Sequence, residues 1–334
     1  MSRKVIEFHK NQKIIGSAAV VGKMESKGPL KSYFDACSED SKFNMDTWEK
    51  AEAEMVRECT EIAIKKSKLK FEDVDLSFAG DLTNQCAASA FGMKDKCIPY
   101  IGLYGACSTF ALSIGMASLA IEAGLCKNAL AEASSHFCSA ERQYRFPLEY
   151  GCQRPPTAQN TVTGSGAVMI CESNENLPCI KEFLPGVICD LGINDANNMG
   201  AAMAPSCADT VTRYFTLTKK KVSDFDLILT GDLGFEGHKI FLDLVKKSGL
   251  DLDQNSEDCG KLIYDSNTQN ANSGGSGCGC SASVFSGFIM RKLLTLELKN
   301  ILLIGTGALL NSGTVLQKET IPGISHLVRI SMES

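Results

Sequence analysis

Two short stretches decide the fold: DVDLSFAGDL at residues 73–82 and FDLILTGDL at residues 225–233. Both contain the pattern D-L-x-x-(A/T)-G-D-L, an apolar run that ends in glycine and aspartate. Such a run is typical of a buried strand that stops at a polar loop. The pattern occurs once in each half of the chain, which indicates an internal repeat.

The elements around these strands repeat in the same order. Apolar residues at helical spacing predict a helix over 47–66, and two glycine-containing turns, GACSTF at 105–110 and GSGCGCSA at 275–282, each open a long apolar helix. The predicted helices after these turns cover 111–123 and 283–294, and the predicted strands cover 128–133, 162–171, 300–305 and 321–330. Helices that are apolar on most sides lie between sheets. We therefore expect an α/β protein with five layers, α-β-α-β-α, made of two halves, 1–172 and 173–334.

Composition excludes several classes of protein. The 334 residues are 44% hydrophobic with a net charge of −5, and no block of Lys and Arg offers a face for nucleic acid. No run of about 20 uncharged apolar residues could span a membrane, and we see no signal peptide; peripheral attachment stays open. The 15 cysteines do not have the spacing of a disulfide framework or of a zinc site, so most are expected to be packed free thiols.

Cys107 is the strongest candidate for chemistry. It lies in the turn GACST, at the predicted start of a buried helix, where free N–H groups and the helix dipole lower the pKa of a thiol. Ser108 follows it directly. The alternative is an inert cysteine buried among many others.

A reactive thiol needs a base, so the four histidines matter. His136 ends a predicted strand after Ser135 and could face a shared pocket. His9 is expected to be exposed, His238 to lie on the surface and His326 to be packed within the last strand.

Charged residues suggest a receptor for a dicarboxylate. Arg142 and Arg145 lie in one irregular loop, 141–156, and two guanidinium groups bind carboxylates through forked hydrogen bonds. The alternative is an ion pair between Arg142 and Glu149 that only shapes the loop. Lys318 and Lys23 are further possible cations. Asp81 and Asp232 end equivalent strands and should approach each other, although each could instead cap the loop that follows.

Many segments together resemble one known family. With Cys107 at a strand-to-helix turn of a duplicated chain, the sequence resembles the thiolase and ketoacyl-synthase superfamily and, within it, the stage V sporulation protein AD family of spore-forming bacteria. The segments that carry the resemblance are residues 28–30, AGDLTNQ at 79–85, GACST at 105–109, AERQYRFPLEYG at 140–151, TVTGSGAV at 161–168, MAP at 203–205, LTGDL at 229–233, GGSGCGCSA at 274–282, TGALL at 306–310 and QKETIP at 317–322.

The resemblance implies a thiolase-like fold and a role with dipicolinic acid (pyridine-2,6-dicarboxylic acid). It implies movement of that compound, with calcium, into and out of the spore, beside membrane proteins of the same operon and at the spore inner membrane. Relatives with this fold form homodimers, so we expect a homodimer here.

The departures from the enzymes argue against catalysis. Enzymes of the superfamily carry a histidine at the strand end that reads Gly231-Asp232 here, and a negative charge would oppose a thiolate. We therefore expect a non-catalytic protein without cofactor or metal centre that binds dipicolinate in the old active-site cavity. The expected lining is Asp81, Asn84, Cys107, Ser108, Ser135, His136, Arg142, Arg145, Asp232 and Lys318, with Asp81 and Asp232 as ligands if calcium enters. The alternatives are an acyltransferase with Cys107 as nucleophile and a scaffold that only docks onto membrane proteins.

Overall fold

The structure, a computed structural model, describes residues 4–144 and 153–333. The strands of these ranges are β1 (Ile6–Glu7), β2 (Gln12–Val21), β3 (Ala36–Cys37), β4 (Leu76–Gly80), β5 (Tyr100–Gly102), β6 (Asn128–Ser135), β7 (Asn160–Thr161), β8 (Gly164–Glu172), β9 (Cys179–Leu184), β10 (Leu227–Thr230), β11 (Ser256–Asp258), β12 (Gly275–Ser276), β13 (Asn300–Ala308) and β14 (Gly323–Ser331). The helices are α1 (Trp48–Ser67), α2 (Ala87–Met93), α3 (Thr109–Glu122), α4 (Phe137–Tyr144), α5 (Met199–Thr218), α6 (Gly234–Lys247), α7 (Cys259–Leu262), α8 (Cys278–Ser283), α9 (Met290–Leu294) and α10 (Ser312–Leu316). A π-helical turn, Val284–Ile289, joins α8 to α9.

The strands follow the same order in both halves of the chain. The first half gives the order β5-β4-β6-β8-β2 and the second gives β11-β10-β13-β14-β9. In each, the first two pairings are parallel and the last two are antiparallel. The two sets join through one residue pair between β2 and β9, Lys13 and Cys179, while β1 adds to β9 and β3 to β2. The sequence repeat therefore corresponds to a repeat of sheet topology.

Helices lie on both outer faces and between the sheets. α1 packs on β2 and β8, and α5, with α6 beside it, packs on β13 and β14. α3 contacts β4 and β6 of the first set of strands and β13 and β14 of the second. This arrangement confirms the predicted α-β-α-β-α order of layers.

Local sequence explains the first long helix. The side chain of Thr47 accepts a hydrogen bond from the Lys50 amide, 3.3 Å, and so caps the N-terminus of α1. Lys68, in the left-handed conformation, ends the helix. The buried face carries Met55, Cys59 and other apolar side chains that pack against the outer face of the first sheet. The predicted range, 47–66, differs from the observed one by a single residue at each end.

Two glycines allow the helix after the second turn to pack closely on β8. A Cβ atom on Gly166 of β8 would lie 2.1 Å from the carbonyl oxygen of Ala282, and one on Gly279 would lie 2.2 Å from that of Gly164. The helix that starts at Cys278 therefore lies directly against β8, at a distance that only glycine permits at these two positions.

The loop predicted over 141–156 is partly helical, because α4 continues to Tyr144. Residues 145–152 lie outside the described part of the chain. All fourteen cysteines within the described ranges are free thiols, as predicted. In the same ranges we find no helix with the length and apolar character needed to cross a membrane.

Candidate functional site

Cys107 lies on a tight turn between β5 and α3. The Ser108 hydroxyl donates to the carbonyl oxygen of Gly105, 2.6 Å, and the Thr109 hydroxyl donates to that of Ala106, also 2.6 Å. Ala106 has a φ of +50°, a left-handed conformation that is uncommon for residues other than glycine. Such strain is often found at functional sites, where the surrounding structure maintains it. The turn thus holds Cys107 in one fixed position.

The carboxylate of Asp232 lies beside the thiol of Cys107. Cys107 is only 5% exposed, and burial raises the pKa of its thiol well above the usual value, with the negative charge of Asp232 as the next cause. The expected lowering of the thiol pKa by the helix N-terminus is therefore wrong. Desolvation and an adjacent carboxylate both oppose the thiolate, so the sulfur is protonated.

Asp232 is held by a set of donors from three segments. Its carboxylate accepts from the Thr306 hydroxyl, 2.7 Å, the Ser276 hydroxyl, 3.2 Å, and the Gly277 amide, 2.7 Å. Its carbonyl oxygen accepts from the side chain of Gln159, 2.6 Å. Burial raises the pKa of Asp232 to about 6, and these hydrogen bonds limit the rise. Thr306 was not predicted from the sequence, although β13 runs beside β10 and the end of β13 has to lie near Asp232.

The histidines do not serve Cys107. All four lie in the described ranges, and none is hydrogen-bonded to its sulfur. His326 is packed as expected, where its Nδ1 accepts from the Gly186 amide, 3.1 Å, and burial lowers its pKa to about 4. His238 was expected on the surface, but it is buried and hydrogen-bonded to Ser256, 2.9 Å. His9 is exposed, as predicted.

His136 lines a different cavity from Cys107. Its Nδ1 accepts from the Cys138 amide, 3.1 Å, which leaves Nε2 to donate to the carbonyl oxygen of Ser41, 2.8 Å. The ring packs against Trp48, with 5.6 Å between centroids, and burial lowers its pKa. The expectation that His136 faces the Cys107 pocket is wrong, because His136 lines the other cavity and both ring nitrogens are bonded to Ser41 and Cys138.

Asp81 and Asp232 have different roles despite their equivalent positions. The Asp81 carboxylate accepts from the amides of Thr83, 2.8 Å, and Ser89, 2.7 Å, and so caps the turn before α2. Asp81 does not line the Cys107 cavity, which corrects that part of the prediction. The two aspartates flank Cys278. Burial is the largest cause that raises the pKa of the Cys278 thiol, and the neighbouring Cys107, Asp81 and Asp232 raise it further.

The other predicted site residues are dispersed. Ser108 closes the turn described above, and the Ser135 hydroxyl donates to the carbonyl oxygen of Val162, 2.7 Å, and accepts from the Gly279 amide, 3.1 Å. Asn84 is exposed and pairs with Gln143.

Within the described part of the chain, the predicted cations do not converge on Cys107. Arg142 forms an ion pair with Glu49 of α1, on the surface. Lys318 is exposed and follows α10 in the left-handed conformation, φ +59°. Arg145 lies outside the described residues, as does Glu149.

The space above Cys107 is small. The cavity there, which we call the Cys107 cavity, measures about 30 Å³ and is lined by Leu82, Tyr104, Ala106, Cys107, Ala140, Glu141, Tyr144, Thr161, Met199, Ser276, Ala308 and Leu310. The hydroxyl groups of Tyr104 and Tyr144 lie 3.3 Å apart, and that of Tyr144 also donates to the carbonyl oxygen of Leu82. These two tyrosines narrow the cavity to roughly the volume of one water molecule.

A much larger cavity lies on the other side of β7. This second space, which we call the Lys23 cavity, measures about 610 Å³. Its lining residues are Lys23, Met24, Glu25, Lys27, Ser41, His136, Phe137, Cys138, Asn160, Thr163, Thr268 and Gln269. Successive residues of β7 line the two spaces, Asn160 the larger and Thr161 the smaller. The described structure therefore separates the cysteine from the room for a ligand.

The fold and the turn that carries Cys107 define a thiolase-like protein. Solved structures of this fold include 3-oxoacyl-(acyl carrier protein) synthase III from Xanthomonas oryzae pv. oryzae, 13% identical with a TM-score of 0.61 over 98% of this chain and 100% of that one. The synthase III of Aquifex aeolicus is 15% identical with a TM-score of 0.57 over 95% of this chain and 99% of that one. Cerulenin-bound OleA of Xanthomonas campestris is 14% identical with a TM-score of 0.60 over 98% and 100%. At such identities the likeness shows the fold alone.

Sequence comparison identifies the family. The model of the family "Stage V sporulation protein AD" matches residues 2–331. Stage V sporulation protein AD of Bacillus subtilis is 42% identical over 311 residues, which cover 93% of this chain and 91% of that protein. This chain therefore belongs to the Stage V sporulation protein AD family, as the sequence segments predicted.

Proposed function

We propose that this chain is a non-catalytic binding protein for dipicolinic acid that takes part in the movement of dipicolinate and calcium into and out of the bacterial spore. Membership of a sporulation family supports the setting. The observation that carries the non-catalytic part is the burial of the Cys107 thiol beside the Asp232 carboxylate, whose negative charge opposes the thiolate. A nucleophilic cysteine would need a base or a positive charge at that place.

The chemistry of acyl transfer explains why this carboxylate matters. The thiolate is the attacking species, and its formation needs a base or a positive neighbour. A carboxylate beside a buried sulfur has the opposite effect on the thiol pKa. General acid–base catalysis contributes about 10²–10⁴-fold in rate, and no histidine is placed to supply it.

Calcium is assigned to the ligand in this proposal. Asp81 and Asp232 were the expected calcium ligands, but each is used by hydrogen bonds in its own location. Within residues 4–144 and 153–333, no three side chains of His, Cys, Asp or Glu are grouped to hold a metal. The carboxylates of dipicolinate are themselves the oxygen ligands that calcium prefers.

Titration calorimetry of the full chain with dipicolinate tests the proposal. We expect saturable binding, with heat that changes when calcium is added. Benzene-1,3-dicarboxylate, which has the same two carboxylates but no ring nitrogen, is the matched control and should bind less tightly. Absence of dipicolinate binding by the folded protein, with and without calcium, would contradict the proposal.

One observation favours an acyltransferase as the second candidate. The strained turn at Ala106 presents Cys107 beside the Gly277 amide and the Ser276 hydroxyl, which both lower its pKa against the larger opposing effects. An enzyme of this kind would carry a labelled acyl group on Cys107 after incubation with acyl-coenzyme A. Detection of that adduct by mass spectrometry would favour the enzyme over the binding protein.

We further propose that the chain acts at the spore inner membrane, peripherally, beside membrane proteins of the same operon. The family supports this setting. Extraction of spore membranes with high salt or carbonate should release the protein, because ionic and polar contacts would hold it. Retention in the membrane after such washing would contradict peripheral attachment.

A further inference from the structure

A third cavity lies directly outside the Cys107 cavity. This space, which we call the Asn84 cavity, measures about 260 Å³ and is lined by Thr83, Asn84, Gln85, Tyr104, Tyr144, Leu309, Leu310 and Asn311. Its amide side chains are exposed, so the cavity is open to solvent. Tyr104, Tyr144 and Leu310 line both this cavity and the Cys107 cavity. In the described part of the chain, these three side chains separate the two spaces.

Two hydrogen bonds hold the tyrosines across the opening between the cavities. The Tyr144 hydroxyl donates its only hydrogen to the carbonyl oxygen of Leu82, so the Tyr104 hydroxyl donates to that of Tyr144, 3.3 Å. Burial raises the pKa of both phenol groups, and a negative charge on Cys107 would raise them further. Both hydroxyls are therefore neutral donors at neutral pH, and the chain of two bonds closes the opening.

The surroundings let the two rings move apart. Tyr104 is 45% exposed and Tyr144 is partly exposed. Their hydroxyls border the Asn84 cavity, where water can replace the hydrogen bonds that opening breaks. The carbonyl oxygen of Leu82 keeps a second donor, the side-chain amide of Gln143 at 3.4 Å. Rotation of the Tyr144 side chain therefore leaves no buried polar group without a partner.

The end of α4 is anchored independently of the Tyr144 side chain. The side chain of Gln143 donates to the side-chain oxygen of Asn84, 2.9 Å, and accepts from the Asn84 amide, 3.1 Å. These reciprocal bonds hold the backbone next to Tyr144 against the turn after β4. The tyrosine side chain can thus move while the helix stays in place.

Opening would change what can reach Cys107. The Cys107 cavity alone, at about 30 Å³, holds roughly one water molecule. Joined to the Asn84 cavity, at about 260 Å³, it approaches the lower end of the range for small-molecule pockets, about 300 Å³. The closed form therefore excludes small reagents from the thiol, whereas the open form admits them.

We propose that Tyr104 and Tyr144 form a gate between the Asn84 cavity and the Cys107 cavity. In the closed form the two hydroxyls are bonded to each other and to Leu82. In the open form the Tyr144 ring turns towards the Asn84 cavity, and Leu310 remains as the wall. The gate controls access to the thiol whatever the protein binds, so this inference is independent of the proposed function.

The rate of alkylation of Cys107 by iodoacetamide tests the gate. Peptide mass spectrometry of the full chain measures it, with the exposed Cys97 as internal standard. Tyr144→Phe should react about tenfold faster than the wild type, because both hydrogen bonds across the opening are lost. Tyr144→Ala, which also removes the ring, should react faster still. Tyr33→Phe is the matched control: Tyr33 lines neither cavity, and the variant should react as the wild type does.

The pH profile separates a gate from a change in the thiol. A gate that opens more often raises the rate by the same factor at every pH, because the thiol of the open form is unchanged. The profile of Tyr144→Phe should therefore be parallel to that of the wild type. A profile displaced to lower pH would assign the faster reaction to a lower pKa of Cys107 and would overturn the gate.

Dilute urea separates the gate from unfolding of the whole chain. Rotation of one side chain exposes little surface, so alkylation through the gate should hardly change with urea, whereas alkylation through global unfolding accelerates steeply. A wild-type rate that follows unfolding would overturn the gate, as would Tyr144→Phe reacting at the wild-type rate. A wild-type Cys107 that reacts as fast as Cys97 would show that the cavity is not closed. Tyr144→Phe keeps the ring, so the test stands even if Tyr144→Ala does not fold.

Discussion

Cys107 and Asp232 form a pair whose properties are set by burial. The thiol pKa is raised first by desolvation and then by the carboxylate. We predict that Asp232→Asn increases the rate at which iodoacetamide alkylates Cys107 at pH 8, because removal of the negative charge lowers the thiol pKa. Peptide mass spectrometry measures the rate, with the exposed Cys97 as internal control. An unchanged rate would show that desolvation alone controls the thiol.

Glu25 makes stability depend on pH. Its pKa in the folded chain is about 7 against an ordinary value of 4.5. Folding therefore favours the protonated form, so this contribution to stability is complete below pH 4.5 and is lost as the pH rises through 7. Between pH 5.5 and 8 we expect the wild type to lose about 2 kcal/mol more than Glu25→Gln, at about 1.4 kcal/mol per pKa unit. Urea unfolding measures this difference, and Glu72→Gln, at an exposed site, should behave as the wild type.

The positions of some site residues were predicted from the sequence, whereas their burial and pKa shifts were not. The sequence predicted that Cys107 lies at a strand-to-helix turn and that Asp232 lies near it. Both predictions follow from local patterns of strand ends and glycines. The direction of the Cys107 pKa shift does not, because desolvation depends on what covers the turn. Glu25 was missed for the same reason: its burial arises from Thr163 and Tyr264, far away in the sequence.

At the scale of elements, Arg154 braces α4 against β7. Its guanidinium donates to the Asn160 side chain, 2.8 Å, to the carbonyl oxygen of Gln159 and to the carboxylate of Glu141, 3.2 Å. We predict that Arg154→Ala destabilises the protein by about 2–4 kcal/mol, because a charge-assisted contact to the buried Glu141 carboxylate and the donors to Asn160 and Gln159 are lost together. Thermal or urea unfolding measures the loss.

Arg142→Ala, on α4 itself, is the matched control for Arg154→Ala. Its ion pair with Glu49 is about half exposed, 48% and 43%, and such pairs contribute about 0–1 kcal/mol. Equal losses of stability for the two variants would mean that the contacts of Arg154 are as weak as a surface ion pair and do not hold α4 against β7.

Most elements were predicted from periodicity, whereas their connections were not. α1 has one buried face at helical spacing, and β4 and β6 are short continuous buried runs, so their predicted ranges agree closely with the structure. The start of α4 lies in a segment without such a pattern, and it becomes helical because Ser139 and Glu141 make buried contacts with Glu52 and Thr161. Tertiary contacts of this kind cannot be derived from local sequence.

At the scale of the whole molecule, β5 is the edge of the first set of strands and pairs only with β4 among the described residues. Ile101 on β5 is 40% exposed and Phe91 nearby in the chain is 65% exposed. We propose a homodimer in which two β5 edges pair, since an exposed edge strand with apolar side chains favours such pairing.

Ile101→Asp should shift this dimer to monomer in analytical ultracentrifugation, because a charge would be buried at the pairing edge. Leu125→Asp, at a leucine that is 76% exposed on the loop after α3, should leave the dimer intact. A monomeric wild type, or a dimeric Ile101→Asp variant, would contradict pairing through β5.

The repeat made the architecture predictable, because two copies of one strand-and-helix pattern in collinear order leave few ways to bury α3 other than between two sheets. The separation of the cysteine from the larger cavity could not be predicted. It depends on which way the side chains of Asn160 and Thr161 point, and on the two tyrosines that fill the space above Cys107.

The junction of β2 with β9 has a consequence for synthesis on the ribosome. The first set of strands is complete at Glu172, before any residue of β9 has emerged. Until then Lys13 of β2 lacks its pairing with Cys179, β1 has no partner strand, and α3 exposes to solvent the side that later contacts β13 and β14. A nascent chain of this length thus exposes both unpaired strand backbone and an apolar helix face. These are the conditions under which chaperones are needed.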